Sequence, residues 1–201
     1  TGASINASIK QSNILGTGNT FNATFKNSKA SEEIRFYFSN PYFRNKRHKL
    51  SYGAFTKSLD ASALDLSSYL IDENGLMLGY GIGISSTENI SSEILLSNLT
   101  IKCGAIFASS DYEADQCSNG DSINNSISLS YDENTLNDFY FPTEGKKTAL
   151  TFKITTPISD FQYFSTDLTH KNYYPLNEDF TFNSVSKINI ATGIGGKDLP
   201  F

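Results

Sequence analysis

Two histidines, two cysteines, a group of acidic residues and two glycine-rich runs are the parts of this sequence whose types and spacing invite a chemical reading. Gly79-Tyr80-Gly81-Ile82-Gly83 and Gly193-Ile194-Gly195-Gly196 have the glycine density of phosphate-cradling loops. Such loops bind anions because a strand turns tightly into a helix whose first N–H groups point at the phosphate. Both runs read as strands or strand ends instead, so nucleotide binding is not expected. A structural zinc site would need His48, His170, Cys103 and Cys117 to converge. Asp111, Glu113, Asp115 and Asp121 offer oxygen ligands, but their spacing lacks the sixth-position glycine of a calcium loop, and a solvated acidic loop is the simpler reading. Serine is abundant, 27 residues, yet no Gly-x-Ser-x-Gly elbow is present to expose one as a nucleophile. The five Asn-x-Ser/Thr sequons, at Asn6, Asn22, Asn89, Asn98 and Asn124, are what an Asn- and Ser-rich chain gives by chance. Neither an enzyme nor a cofactor nor a metal site is expected.

What remains is architecture. The chain has 201 residues and a net charge of −5, with 13% aromatics, no tryptophan and a single valine, Val185. That mild acidity argues against a nucleic-acid footprint, which needs a clustered basic surface. The aromatic content argues against disorder. No run approaches the roughly 18 apolar residues of a membrane-spanning helix. Thr1-Gly2-Ala3-Ser4-Ile5-Asn6 has no charged segment leading into an apolar one, so the chain reads as an excised or processed piece without a signal peptide.

The dominant pattern is alternation with a period of two, the mark of strands with one apolar and one polar face. It is clearest around Ile5–Ile9, Phe21–Phe25, Ile34–Phe38, Leu76–Ile84, Ile127–Tyr131 and Leu150–Ile154. Weaker strands read at about 48–57, 93–103, 162–173 and 180–192, which makes ten. Turn chemistry separates them at Gly16-Thr17-Gly18, Asn40-Pro41, Asp72-Glu73-Asn74-Gly75, Ser118-Asn119-Gly120-Asp121, Pro142-Thr143-Glu144-Gly145 and Pro175. One short helix is expected near 105–112. The result is an all-β meander in a single domain.

Two architectures bury such strands. A soluble sandwich turns the apolar faces inward; a membrane barrel turns them to lipid around a hydrated interior. Gly79, Gly81 and Gly83 share one face and suit a crowded interior wall, because glycine on a solvated surface only weakens a strand. Tyr37, Phe38, Tyr52, Tyr80, Tyr131, Tyr163, Tyr173 and Tyr174 fit aromatic belts at the membrane interfaces. In a barrel, Phe21, Phe25, Ile34, Phe36, Leu78, Ile82, Ile127, Leu129, Leu150, Phe152 and Ile154 face lipid.

The turns carry a resemblance. Gln11-Ser12-Asn13-Ile14-Leu15-Gly16-Thr17-Gly18 resembles a turn in the barrel of the BamA family, the central subunits of the bacterial outer-membrane β-barrel assembly machine. The likeness continues through Phe38-Ser39-Asn40-Pro41-Tyr42-Phe43, then Asp65-Leu66-Ser67-Ser68-Tyr69. It resumes at Tyr140, Phe141, Pro142, Thr143, Glu144 and Gly145, and ends at Gly195, Gly196, Lys197, Asp198, Leu199, Pro200 and Phe201. The resemblance implies an up-and-down transmembrane barrel in the outer membrane. Residues 1–201 would supply about the second to the eleventh of 16 strands, while the POTRA domains and the last strands lie elsewhere. It implies as partners nascent outer-membrane proteins, outer-membrane lipids and lipopolysaccharide, and the machine's lipoproteins. A two-partner-secretion or passive outer-membrane channel, or a secreted soluble sandwich or adhesin, are the alternative readings.

From the family's register, turns near 12–19, 39–48, 85–92, 134–146 and 174–179 are expected in the periplasm. Loops near 27–32, 58–69, 103–121 and 156–161 are expected outside. Arg44-Asn45-Lys46-Arg47-His48 departs from the family as a basic insertion, read as a solvated turn. Cys103 and Cys117 flank the longest outer loop. Passage through an oxidising compartment leads us to expect a disulfide between them.

Overall fold

The computed structural model describes residues 3–45, 47–64, 69–103, 121–196 and 199. Eleven strands form one antiparallel sheet: β1 (Ile5–Ser12), β2 (Thr20–Asn27), β3 (Ser31–Asn40), β4 (His48–Asp60), β5 (Tyr69–Gly83), β6 (Glu88–Cys103), β7 (Asp121–Ile123), β8 (Ser126–Asn134), β9 (Gly145–Thr155), β10 (Tyr163–Pro175) and β11 (Thr181–Gly193). Ten of them pair in chain order, and β7 is a short addition that pairs only with β6. Among the described residues, β1 and β11 each have one neighbour, so the sheet is open at both ends.

Register converts the alternating sequence into two continuous faces, because residues directly opposite in antiparallel strands project to the same side. Phe25 pairs Ile34, and Ala23 pairs Phe36. Tyr52 pairs Leu78, Leu78 pairs Ile94, and Ile94 pairs Ile127. Ile127 pairs Ile154, and Leu129 pairs Phe152. Tracing these partners across the sheet gathers all eleven residues expected to share an apolar face onto one side.

Two expectations about the strands are corrected. Asp72-Glu73-Asn74-Gly75 is no turn but the interior of β5, which starts at Tyr69. Its polar residues are used across strands: Ser58 donates to Asp72 Oδ1 at 2.8 Å, and Lys102 reaches Asp72 Oδ2 at 2.9 Å. Likewise Glu88–Ser92, read as turn, belongs to β6, and the β5–β6 connection is confined to residues 84–87. In both places polar side chains hide a strand that rises beyond the apolar band. The helix expected near 105–112 and the sulfur pairing of Cys103 with Cys117 lie outside the described residues.

One edge of the sheet carries the connections 13–19, 41–47, 84–87, 135–144 and 176–180; the opposite, upper edge carries 28–30 and 156–162, and β4 and β6 also end there. A small apolar cluster, Leu99, Ile101, Phe161 and Tyr163, lies near that upper edge with Ile71 and Leu199 against it.

Candidate membrane-facing surface and lumen

Strand β5 states the inversion most clearly. Leu76, Leu78, Tyr80 and Ile82 are 60, 52, 41 and 44% exposed, while Met77 between them is 8% exposed and Gly79 and Gly81 are buried. The same holds along β8, where Ile127 and Leu129 are 43 and 55% exposed, and along β9, where Leu150, Phe152 and Ile154 all stand open. No large side chain among the described residues is fully buried. A water-soluble sheet this size would bury its apolar side to gain about 25 cal/mol per Å². Here the small and polar side is the packed one.

Apolar residues of this face run from Leu76 on β5 to Ile84 just past its end. At ~3.3 Å per residue and a strand tilt of ~40°, that band is about 20 Å tall. Polar girdles bound it. Toward the 84–87 edge, Tyr131 donates to Glu88 Oε1 at 2.9 Å, Lys146 pairs with Glu133 at 2.9 Å, Thr148 bonds His170 Nδ1 at 3.0 Å, and His48 bonds the Tyr80 hydroxyl. At the opposite edge, Thr56, Asn74 and Asn98 form a cross-strand row, with Ser58, Asp72 and Thr100 above it.

The other face is a crowded wall. Glu33 is held by Lys26 at 3.0 Å and by Arg35 at 2.9 Å, and the Arg35 guanidinium lies over the Phe55 ring, 5.3 Å from its centroid. Phe55 in turn covers Gly75, where an added Cβ would meet the ring at 2.5 Å. At Gly53 a Cβ would meet the Phe36 carbonyl at 2.6 Å and the Tyr37 ring at 3.4 Å, and at Gly79 it would meet Ser51 Oγ at 2.5 Å. Glycine is required where a neighbouring strand's large side chain lies flat across it. These contacts correct part of the aromatic-belt expectation. Tyr37 and Tyr163 belong to this inner wall, and Tyr173 shares their face, whereas Phe38, Tyr52, Tyr80, Tyr131 and Tyr174 lie on the outer one. Alternate position decides this, not nearness to a strand end.

A model of the Omp85 superfamily domain matches residues 13–201 of this chain. The chain belongs to the Omp85 superfamily. An outer membrane protein assembly factor BamA from Neisseria meningitidis serogroup B is 22% identical over 214 residues, which take in the whole of this chain and 27% of that protein. The chain therefore spans about a quarter of that relative. The crystal structure of BamA from Haemophilus ducreyi lacking POTRA domains 1-3 superposes with a TM-score of 0.82 at 22% identity, over 98% of this chain and 40% of that one. The open sheet has the fold of part of a BamA barrel, and membership of the Omp85 superfamily places the chain in the bacterial outer membrane.

Within this Omp85 sheet, the motif residues build the turns. Asn13, Leu15, Gly16 and Gly18 all have positive φ, and Asn13 Oδ1 accepts the Gly18 N–H at 2.7 Å. Gln11, next to the end of β1, pairs with Phe21. Asn40 Oδ1 accepts the Tyr42 N–H at 3.0 Å, turning the chain at Pro41 toward Phe43. In the β8–β9 turn, Asn137 Oδ1 accepts the N–H groups of Thr143 and Glu144, and Asp138 Oδ1 accepts those of Tyr140 and Phe141 at 2.8 Å. Those two backbone donors hold the Asp138 carboxyl below its ordinary value. Its contribution to the turn is thus complete above the ordinary carboxylate pKa and is lost only as pH falls through the lowered one. The turn presents Phe139, Tyr140 and Phe141 at 84, 80 and 84% exposure. Gly195 and Gly196 take positive φ after β11; Lys197, Asp198, Pro200 and Phe201 lie outside the described residues, as do Asp65, Leu66, Ser67 and Ser68.

In the basic insertion, Arg44 has φ of 58° with its guanidinium over Phe43, and the Arg47 carbonyl accepts the Gly83 N–H at 2.8 Å. Sequence reasoning missed the irregularity where β7 gives way to β8. There Asn125 Oδ1 accepts the Ser97 N–H at 3.1 Å and Ser97 Oγ donates to the Asn124 carbonyl at 2.8 Å, replacing ladder bonds with side-chain ones. An Asn-Asn pair between Ile123 and Ser126 gives no pattern that marks such a break, which leaves the pairing register on either side unchanged. His48 and His170 sit on separate strands with Tyr80 and Thr148 as partners, and among the described residues no three His, Cys, Asp or Glu side chains gather as metal ligands.

Proposed function

We propose that this chain is about the second to the eleventh strand of the 16-stranded barrel of an outer-membrane protein assembly factor, a non-enzymatic machine that folds and inserts β-barrel proteins without a cofactor. The observation that carries the reading is the exposed apolar band over a packed, glycine-lined wall, in a chain matched by the Omp85 domain from residue 13 to 201. The Neisseria meningitidis relative, an outer membrane protein assembly factor, supports the assembly role. The apolar face meets lipid, including Phe21, Phe25, Ile34 and Phe36, and the edge with connections 13–19, 41–47, 84–87, 135–144 and 176–180 faces the periplasm. Placing the long 104–120 connection outside agrees with the short periplasmic turns and longer external loops of such barrels. Partners are the outer-membrane lipids, nascent outer-membrane proteins, and the machine's lipoproteins at the periplasmic edge.

Free edges give this reading a test. Unpaired backbone groups in hydrocarbon cost several kcal/mol each, so β1 and β11 need the barrel's other strands. In cells depleted of the natural protein, the full-length gene product is expected to restore outer-membrane protein levels and growth, and residues 1–201 alone are expected not to. Rescue by residues 1–201 alone, or no rescue by the full-length product, contradicts the proposal.

A further inference from the structure

The outer band is not smooth. Ala54 stands opposite Phe36 on β3 and Leu76 on β5, and its small side chain leaves a groove of about 620 Å³ that Tyr52, Leu78 and Leu96 help to line. A second depression continues it past Leu76 and Leu96 to Asn74, Asn98 and Asn125. Asn74 and Asn98 are direct partners across β5 and β6, both exposed. Among the described residues neither of these two carboxamides is held by another side chain. From Leu78 to Asn74 the path is ~13 Å long.

We propose that this groove seats one acyl chain of lipopolysaccharide, with Asn74 and Asn98 gripping the amide- and hydroxyl-bearing linkage at its head. The inference rests on the membrane orientation given under Proposed function. The floor is hydrocarbon and lies in the lipid-facing band, so its occupant is a lipid chain rather than water or a soluble ligand. The groove rises to the edge of that band on the loop side, which is the outer leaflet. A carboxamide both donates and accepts, and so matches amide, ester and hydroxyl groups. A bare phosphate would call for lysine or arginine, and Lys102, farther up the same face, is already held by Asp72.

The test uses full-length protein extracted from outer membranes, stripped of lipid and titrated separately with lipopolysaccharide and with phosphatidylethanolamine. Bound lipid is counted by native mass spectrometry. The natural protein is expected to take up one lipopolysaccharide in preference to the phospholipid. Ala54→Phe, which fills the groove, and the double variant Asn74→Ala/Asn98→Ala, which removes only exposed groups, are each expected to weaken uptake roughly tenfold, about one to two hydrogen bonds' worth. Unchanged uptake by the asparagine variant, or equal uptake of phosphatidylethanolamine by the natural protein, overturns the inference. The readout is independent of assembly activity: a barrel that binds lipopolysaccharide but fails to restore depleted cells refutes the proposed function alone.

Discussion

Phe152→Arg is expected to destabilise the full-length barrel by about 2–4 kcal/mol, although Phe152 is 42% exposed. At a soluble protein's surface the same change would cost a few tenths. Phe152 lies between Leu129 and Thr166 on the outer face, its ring 6.0 Å from that of Phe164, well inside the apolar band. A guanidinium there must stay in hydrocarbon or drag water and headgroups to itself. Its sequence neighbour provides the control. Thr151 projects to the opposite face, where its hydroxyl meets Ser130 Oγ at 3.0 Å. Thr151→Arg loses that bond, about 1 kcal/mol, and gains a hydrated interior for its charge. Equilibrium urea unfolding of the full-length protein in lipid vesicles, followed by heat-modifiable gel mobility, reads both. Equal losses at the two positions contradict the assignment of faces.

The second large effect belongs to a glycine. Gly145→Ala is expected to cost roughly 3 kcal/mol or more, from a strained backbone plus a clash that only movement of the turn relieves. Gly145 has φ of +102°, and a Cβ built there would lie 2.3 Å from the Thr135 carbonyl oxygen and 3.0 Å from Leu136 Cα, all main-chain atoms of the facing strand end. No rotamer change relieves such contacts. The Asn137 and Asp138 caps that hold Phe139, Tyr140 and Phe141 in place depend on that same hairpin end. Gly196→Ala is the comparison: its φ is +77° but nothing among the described residues lies within 4 Å, so only the backbone penalty of about 1 kcal/mol remains. The same unfolding assay is expected to separate the two; a Gly145→Ala barrel as stable as the natural one refutes the account of this turn.

Much of this architecture was legible in the residues. Strict alternation at Phe21–Phe25, Ile34–Phe38, Leu76–Ile84 and Leu150–Ile154 fixes both the strand and its face, because a strand's period is two whatever surrounds it. Legibility failed where polar groups are paired across strands. Asp72-Glu73-Asn74-Gly75 has the composition of a turn, and only Ser58 and Lys102, which come from other strands, make it a strand. Tyr37 and Tyr163 are not legible as inner residues by type, because an aromatic filling the space over a glycine, or joining a small inner core, has the same composition as one in an interface belt. The Ala54 groove depends on which neighbours face one small residue, and that is known only once four strands are in register.

The central claim is that lipid lies against the apolar face and water against the glycine- and serine-lined one. Single tryptophans at Ile127, Ser128, Leu129 and Ser130 in the full-length protein, reconstituted into vesicles with brominated acyl chains, test it position by position. The spectrum of the natural protein is subtracted in each case. Quenching at 127 and 129 with none at 128 and 130 is the result the account predicts. Quenching of the opposite phase, or equal quenching at all four positions, contradicts it.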